Sequence, residues 1–401
     1  MVIATSVIRT SFFLCGCCDM KKYLLFFSSI YVYILLTILF FLSLYDQEVP
    51  YSVLNSSYNL IIAVTISFIL LWLSIYFSDR IVKTPNYEVT LNYSLTRLLL
   101  ISLLSLLLFL YFLNDKVLEL DFISILNFTV NYRNGLYSGS GVFTVGVTYF
   151  LSTLLVLLLF FSKELNKRYI YTLLFLCFLC IFILGFRVLL LPLVFTFLLR
   201  FSSSTIKNML MSLVYLVSLL LFLMTFKIAV DAVTGFERDL LESFFNALVR
   251  QKIPFLINEY SRSSSDIFYC GLPLVSKIIS CSSPEVLKLE FFMSDLNSIY
   301  SGFPNLGNFS GIAIPLPVVL YNIYGPFLTI AILYCFLLIM LFFTYVTFNV
   351  RATFLFRFIS LIILTRMSGA LIEDYFTWMS SIPLVIIVTI LLYFSIFVRY
   401  R

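Results

Sequence analysis

Histidine is absent from all 401 residues, and charged side chains make up only 11% of them. The first absence removes the usual general base near neutral pH and the commonest nitrogen ligand for zinc, copper or haem. Any chemistry therefore runs on carboxylates, arginines, lysines and hydroxyls, and neither a metal nor another cofactor is expected. The second absence, with a hydrophobic share of 62% and a mean hydropathy of +1.06, excludes soluble domains with an ordinary polar surface. The bilayer has to be the solvent. Walker loops, dinucleotide fingerprints and HExxH or GxSxG arrangements are missing as well, which leaves the soluble ATPase, dehydrogenase and hydrolase classes without support. Internal repeats and low-complexity linkers are not evident, and the first hydrophobic run lacks a small-residue cleavage site, so it reads as an anchor.

The eight cysteines are too dispersed for a disulfide scaffold. Cys177, Cys180 and Cys335 fall inside apolar runs, where a thiol behaves as a small hydrophobe. Cys15, Cys17 and Cys18 are three thiols without a second half, and Met20-Lys21-Lys22 before a hydrophobic run reads as the natural start, with residues 1–19 an over-extended one. Cys270 and Cys281 lie in a large polar loop, and their spacing leaves a disulfide open. The net charge of +6 is scattered between hydrophobic runs, so nucleic acid is not an expected partner.

A bilayer core of about 30 Å needs roughly 20 apolar residues per helix. About ten such runs are legible: Tyr23 to Leu44, Asn59 to Phe77, Leu95 to Leu113, Val142 to Phe161, Tyr169 to Leu184, Val188 to Leu199, Met209 to Val230, Tyr321 to Val346, Phe358 to Ile372 and Met379 to Val398. Alternate connections, which the positive-inside rule makes cytoplasmic, hold Lys21, Lys22, Arg80, Lys83, Arg97, Lys163, Lys167, Arg168, Arg200, Lys207, Arg351, Arg357, Arg399 and Arg401, opposed by only Asp19, Asp79, Glu88 and Glu164. The opposite connections carry Asp46, Glu48, Asp115, Glu119, Asp121, Glu373 and Asp374. The expected architecture is an all-α polytopic integral membrane protein, 1–401 as a single membrane domain, with both termini cytoplasmic and one large periplasmic loop over 231–315.

Within that loop, Leu240, Leu241, Phe244, Phe245, Leu248 and Val249 form one stripe of an amphipathic helix over Asp239 to Arg250, and Asp239, Glu242, Asn246 and Arg250 form the other. Such a helix lies on a membrane surface or serves as a structural lid. Downstream, Asn258 to Asp266 gathers Glu259, Arg262, Asp266 and several hydroxyls, while Tyr260 and Tyr269 offer stacking faces. A sugar site and an ordinary polar loop both explain that pattern. Ser301 to Gly311, with Asn305 and Asn308, combines turn formers and amides in a pocket-lining or re-entrant pattern. Arg187 sits between two apolar runs, where a charge at membrane depth costs about 2.5 to 3.5 kcal/mol. It reads as a substrate or ion-pair residue, phosphate being the natural match for its fork, or as a side chain that snorkels to the interface. Arg366, inside the ninth run, reads as a partner of Glu373 or Asp374, seven and eight residues later.

The span plan, the Gly185-Phe186-Arg187 turn before a short sixth run, and the long late loop followed by Tyr321-Asn322-Ile323-Tyr324-Gly325-Pro326-Phe327 resemble the O-antigen polymerase (Wzy) family of oligosaccharide repeat unit polymerases. The resemblance covers most of the chain in layout and little of it in motif. It implies a fold like that of GT-C-type glycosyltransferases in the bacterial inner membrane. The implied reaction joins undecaprenyl-pyrophosphate-linked oligosaccharides, donor and acceptor both, at the periplasmic face. A chain-length regulator is an implied partner, as is membrane lipid. Arg187, Arg250 and Arg262 are the positions that match the family's functional arginines. Glu259 and Asp266 are the candidates to accept a proton, and Tyr260, Tyr269, Asn305, Asn308 and Tyr324 the candidates to bind sugar. The related O-antigen ligases rely on a loop histidine that is absent here. A flippase for the same lipid-linked sugars and a sensor or scaffold are the readings from other classes.

Overall fold

A computed structural model describes residues 24–44, 51–79, 314–349, 352–372 and 374–397, together with single positions or short stretches between 150 and 272. Among the described residues the regular elements are all helices: α1 (Leu24–Leu44), α2 (Tyr51–Asp79), α3 (Leu316–Phe348), α4 (Phe354–Ile372), α5 (Tyr375–Ser380) and α6 (Ile382–Phe397). Asn55–Phe77, Leu316–Phe348 and Phe354–Ile372 are long and apolar enough to cross a membrane, and Phe26–Leu35 and Ile382–Phe394 are shorter apolar helices. This is the composition of an all-α membrane protein, with backbone polar groups satisfied inside each helix. The runs predicted at 95–113, 169–184 and 209–230, the amphipathic helix at 239–250, the loop at 301–311, Cys270 and Cys281, and both chain termini lie outside the described residues.

The chain divides into two compact units, Met1–Glu88 with Val249–Pro383, and Val89–Leu248 with Leu384–Arg401. In the second unit, residues 152–157 are helical and buried, Thr196 donates its hydroxyl to the Pro192 carbonyl at 2.6 Å, and α6 runs on from Leu384. The first unit holds α1 to α5. Here α3 packs on α2 and α4, α1 packs on α2, and α5 folds back on α4. Of the three long helices α4 is the core: 78% of its span is buried, against 39% and 33% for the other two.

Hydrogen bonds and ring contacts fix the directions. Tyr31 of α1 meets Thr65 (3.2 Å), Phe68 and Trp72, the positions expected of a tight antiparallel hairpin with α2. On α2, Ser67 reaches the Ile330 carbonyl at 3.3 Å and Ser74 shares a 2.7 Å hydrogen bond with Tyr334, so both numbers rise together and α2 and α3 are parallel. After α3 the chain turns sharply. Asn349 donates its N–H toward the Tyr345 and Val346 carbonyls, and the buried Arg357 Nε donates to the Thr347 carbonyl at 3.0 Å. That guanidinium closes an orphan carbonyl at a helix C-terminus, where cations are favoured. The arginine that reads as loop charge in the sequence is thus a buried cap. At the far end the Tyr375 N–H donates to the Ile314 carbonyl at 2.8 Å, tying the return of α4 to the entry of α3.

Two glycines carry this packing. Gly325, in the first third of α3, has φ 70° and ψ −178°, a region essentially reserved for glycine. Gly369 on α4 lets the Trp378 ring lie directly on the helix backbone, with Cε3 2.6 Å from where a Cβ would stand. Gly325→Ala finds nothing within 4 Å of the new Cβ, so its cost is conformational, about 1 to 3 kcal/mol. Gly369→Ala instead drives a methyl into the indole. Both variants are expected to melt lower than wild type in detergent, with Gly369→Ala alone shifting the Trp378 fluorescence; an unshifted melting point for Gly325→Ala would contradict the break.

Candidate functional site

The eighth hydrophobic run, read from the sequence as one span from Tyr321, begins earlier, at Leu316, and is interrupted. Pro326 has no N–H to give the Asn322 carbonyl four residues back, and its ring crowds that carbonyl, so a straight helix through it is costly. A residue before proline also avoids the α region. Gly325 accommodates both demands by its positive φ, and α3 restarts at Pro326, with the Thr329 hydroxyl donating to the Gly325 carbonyl at 2.7 Å. The piece before the break, 316–320, is fully buried. Just past it Phe327 is 86% exposed, so the helix surfaces abruptly.

Three tyrosines from three segments converge on the break. Tyr324 is the last residue before Gly325, and its phenol shares a hydrogen bond with the phenol of Tyr269. Tyr269 is helical, its carbonyl accepts the Leu272 N–H at 3.0 Å, and it is 43% exposed. Tyr375, the first residue of α5, is completely buried, and its phenol interacts electrostatically with that of Tyr324. Burial, and secondarily Tyr324, pushes the Tyr375 phenol above its ordinary range, so it stays a neutral donor. Phenols of this kind both donate and accept, and their rings give apolar faces beside polar tips.

Below the tyrosines lies a buried cation. Arg366 of α4 is 3% exposed, with its guanidinium 4.9 Å from the centre of the Trp378 ring. The buried Asp374 precedes α5. Its N–H donates to the Gly369 carbonyl at 3.3 Å, its carbonyl accepts the Trp378 N–H at 3.1 Å, and its carboxylate makes no capping hydrogen bond. The sequence reading pairs Arg366 with Glu373 or Asp374. Glu373 lies outside the described residues, Asp374 shares the corner, and the cation–π contact with Trp378 went unread. The signal available was Gly369 followed by one of the chain's two tryptophans across an acidic turn.

Of the residues that the sequence selects for a site, Tyr269 and Tyr324 are brought into direct contact. Arg187, Arg250, Arg262, Glu259, Asp266, Tyr260, Asn305 and Asn308 lie outside the described residues. Asn322, Tyr375 and Trp378 are additions that the geometry makes.

Two double-mutant cycles test the arrangement. Tyr269→Phe with Tyr324→Phe is expected to give a coupling of roughly 0.5 to 1.5 kcal/mol in the stability of the purified protein. Arg366→Met with Trp378→Leu is expected to give about 1 to 2 kcal/mol, as for a desolvated cation on an indole. Additive effects in either cycle would mean that the pair does not interact. Compared with protein-family models, with curated proteins and with solved structures, the chain matches none.

Proposed function

We propose that the chain is a membrane glycosyltransferase that polymerises undecaprenyl-pyrophosphate-linked oligosaccharide repeat units at the periplasmic face of the bacterial inner membrane. The observation that carries the reading is the Tyr269–Tyr324 pair, in which a residue that the sequence assigns to the large loop is held against a broken, apolar helix. An aromatic, hydroxyl-rich contact between a polar loop and a membrane helix suits a substrate that is sugar at one end and lipid at the other.

In the proposed reaction a hydroxyl oxygen of the acceptor sugar forms a bond to the anomeric carbon of the donor. The bond from that carbon to the pyrophosphate oxygen breaks, and its electron pair leaves with undecaprenyl pyrophosphate. The hydroxyl proton passes to a carboxylate, Glu259 or Asp266. Arg187, with Arg250 or Arg262, neutralises the charge that develops on the leaving group, the kind of term that supplies much of the acceleration in such transfers.

A second reading has its own observation. Helices broken within a membrane segment line the substrate sites of many transporters, and the interruption at Gly325 favours a flippase for the same lipid-linked sugars on that ground. Purified protein in lipid, incubated with a lipid-linked repeat unit, separates the two. A ladder of longer products is expected from wild type, reduced about 100-fold by Arg187→Ala. Transfer of the intact lipid across a liposome bilayer without any ladder would replace the polymerase by the flippase.

A further inference from the structure

Hydroxyls on apolar helices normally turn back on their own backbone. In the first unit Thr65, Ser67, Ser74, Thr344 and Ser368 each donate to the carbonyl four residues earlier, at 2.7 to 2.9 Å. Ser57, also inside α2, does not. It is 0% exposed and its hydroxyl makes no hydrogen bond to any protein group. Asn322 departs further, because its amide nitrogen and its amide oxygen are both buried and both lack a protein partner. Asn349, at the other end of α3, shows the ordinary outcome: its amide donates to the Tyr345 phenol at 3.2 Å.

Trp72 Nε1, further along α2, is also buried without a partner, but Ser57 and Asn322 lie toward one end of the parallel pair. Counted from the contact of Ser67 with the Ile330 carbonyl, Ser57 and Asn322 are both on the side that holds the Gly325 break. Pro326 adds to the imbalance, since it withdraws the helical N–H that the Asn322 carbonyl would otherwise accept. One residue thus offers an amide donor and an amide acceptor, beside a main-chain carbonyl from which proline withholds its usual helical donor. Two residues on, Tyr324 meets Tyr269. Burying polar groups without partners opposes folding, so their persistence calls for something that pairs with them when the protein works.

The chemistry of that partner follows from the donor set. An anion would meet no cationic group here among the pairing atoms. A metal cation would satisfy the oxygens and leave the Asn322 amide nitrogen unpaired. Neighbouring hydroxyls of a sugar each donate and accept, which matches an amide edge and a serine hydroxyl together. We infer that Asn322, with Ser57 toward the same end of the helix pair, is a recognition site for the hydroxyls of a sugar, built into the broken end of the α2–α3 pair. The inference rests on the proposed handling of lipid-linked sugars and names the residues that distinguish one sugar from another.

The test uses the full chain in lipid nanodiscs and an undecaprenyl-pyrophosphate-linked repeat unit as the probe, with binding and melting temperature read separately from polymerisation. Asn322→Leu is expected to weaken binding about tenfold, as for one lost hydrogen-bonding edge, and to melt at or above the wild-type temperature because a costly buried amide is gone. Ser57→Ala is expected to weaken binding about threefold with the melting point unchanged. Unchanged binding in Asn322→Leu overturns the inference. So does a lower melting point or a failure to fold, either of which makes the amide structural, and so does a sodium-dependent melting shift that disappears in the variant, which makes the site ionic. Absence of a ladder from wild type sinks the polymerase reading alone, since the binding comparison does not require turnover.

Discussion

In hydrocarbon every main-chain N–H and C=O has to find a partner within the protein, because water is not there to supply one. The first unit is organised by the places where this demand is hardest to meet. At the close of α3, Arg357 covers a terminal carbonyl with its guanidinium. At the entry, Tyr375 satisfies Ile314. Between these two points, Pro326 removes a donor and Gly325 absorbs the bend, while Thr329 turns its hydroxyl to the Gly325 carbonyl. A break of this kind is tolerable in a membrane only where the freed groups face protein or a polar cavity. The buried stretch 316–320 and the tyrosines around Tyr324 provide such surroundings.

Hydropathy located the described helices because length and composition suffice for that. The first run was read from Tyr23 to Leu44 and α1 spans Leu24–Leu44; the ninth run and α4 both end at Ile372. The errors lie where polar residues continue a helix or apolar ones interrupt it. Asn55, Ser56 and Ser57 look like punctuation before a span, yet α2 starts at Tyr51 and carries them inside. Gly325-Pro326 looks like part of a span, yet the helix stops and restarts there. The tenth run was begun at Met379, whereas α5 runs through Ser380 and yields to α6 at Ser381, where a following proline, Pro383, removes another donor.

The candidate site was legible in kind and not in assembly. Tyr269 was selected for its stacking face and Tyr324 through the family resemblance, but their contact joins segments far apart in the chain, and no local spacing encodes it. Asn322 was part of a quoted motif without a role, since an amide on a helix is unremarked until its partners are counted. Arg366 was read as a partner of Glu373 or Asp374; its contact with the Trp378 indole, whose close approach Gly369 permits, was not read at all.

The direction of one helix pair reaches further than its own contacts. Two helices that cross a bilayer in the same sense enter it by the same face. The first residues of α2 and α3, Tyr51 and Leu316, therefore share one end of the pair, and the register of Ser67 on Ile330 and Ser74 on Tyr334 puts the Gly325 break toward that end. Hydropathy reads five runs between Asp79 and Leu316, and an odd number is what two parallel helices would call for if both cross.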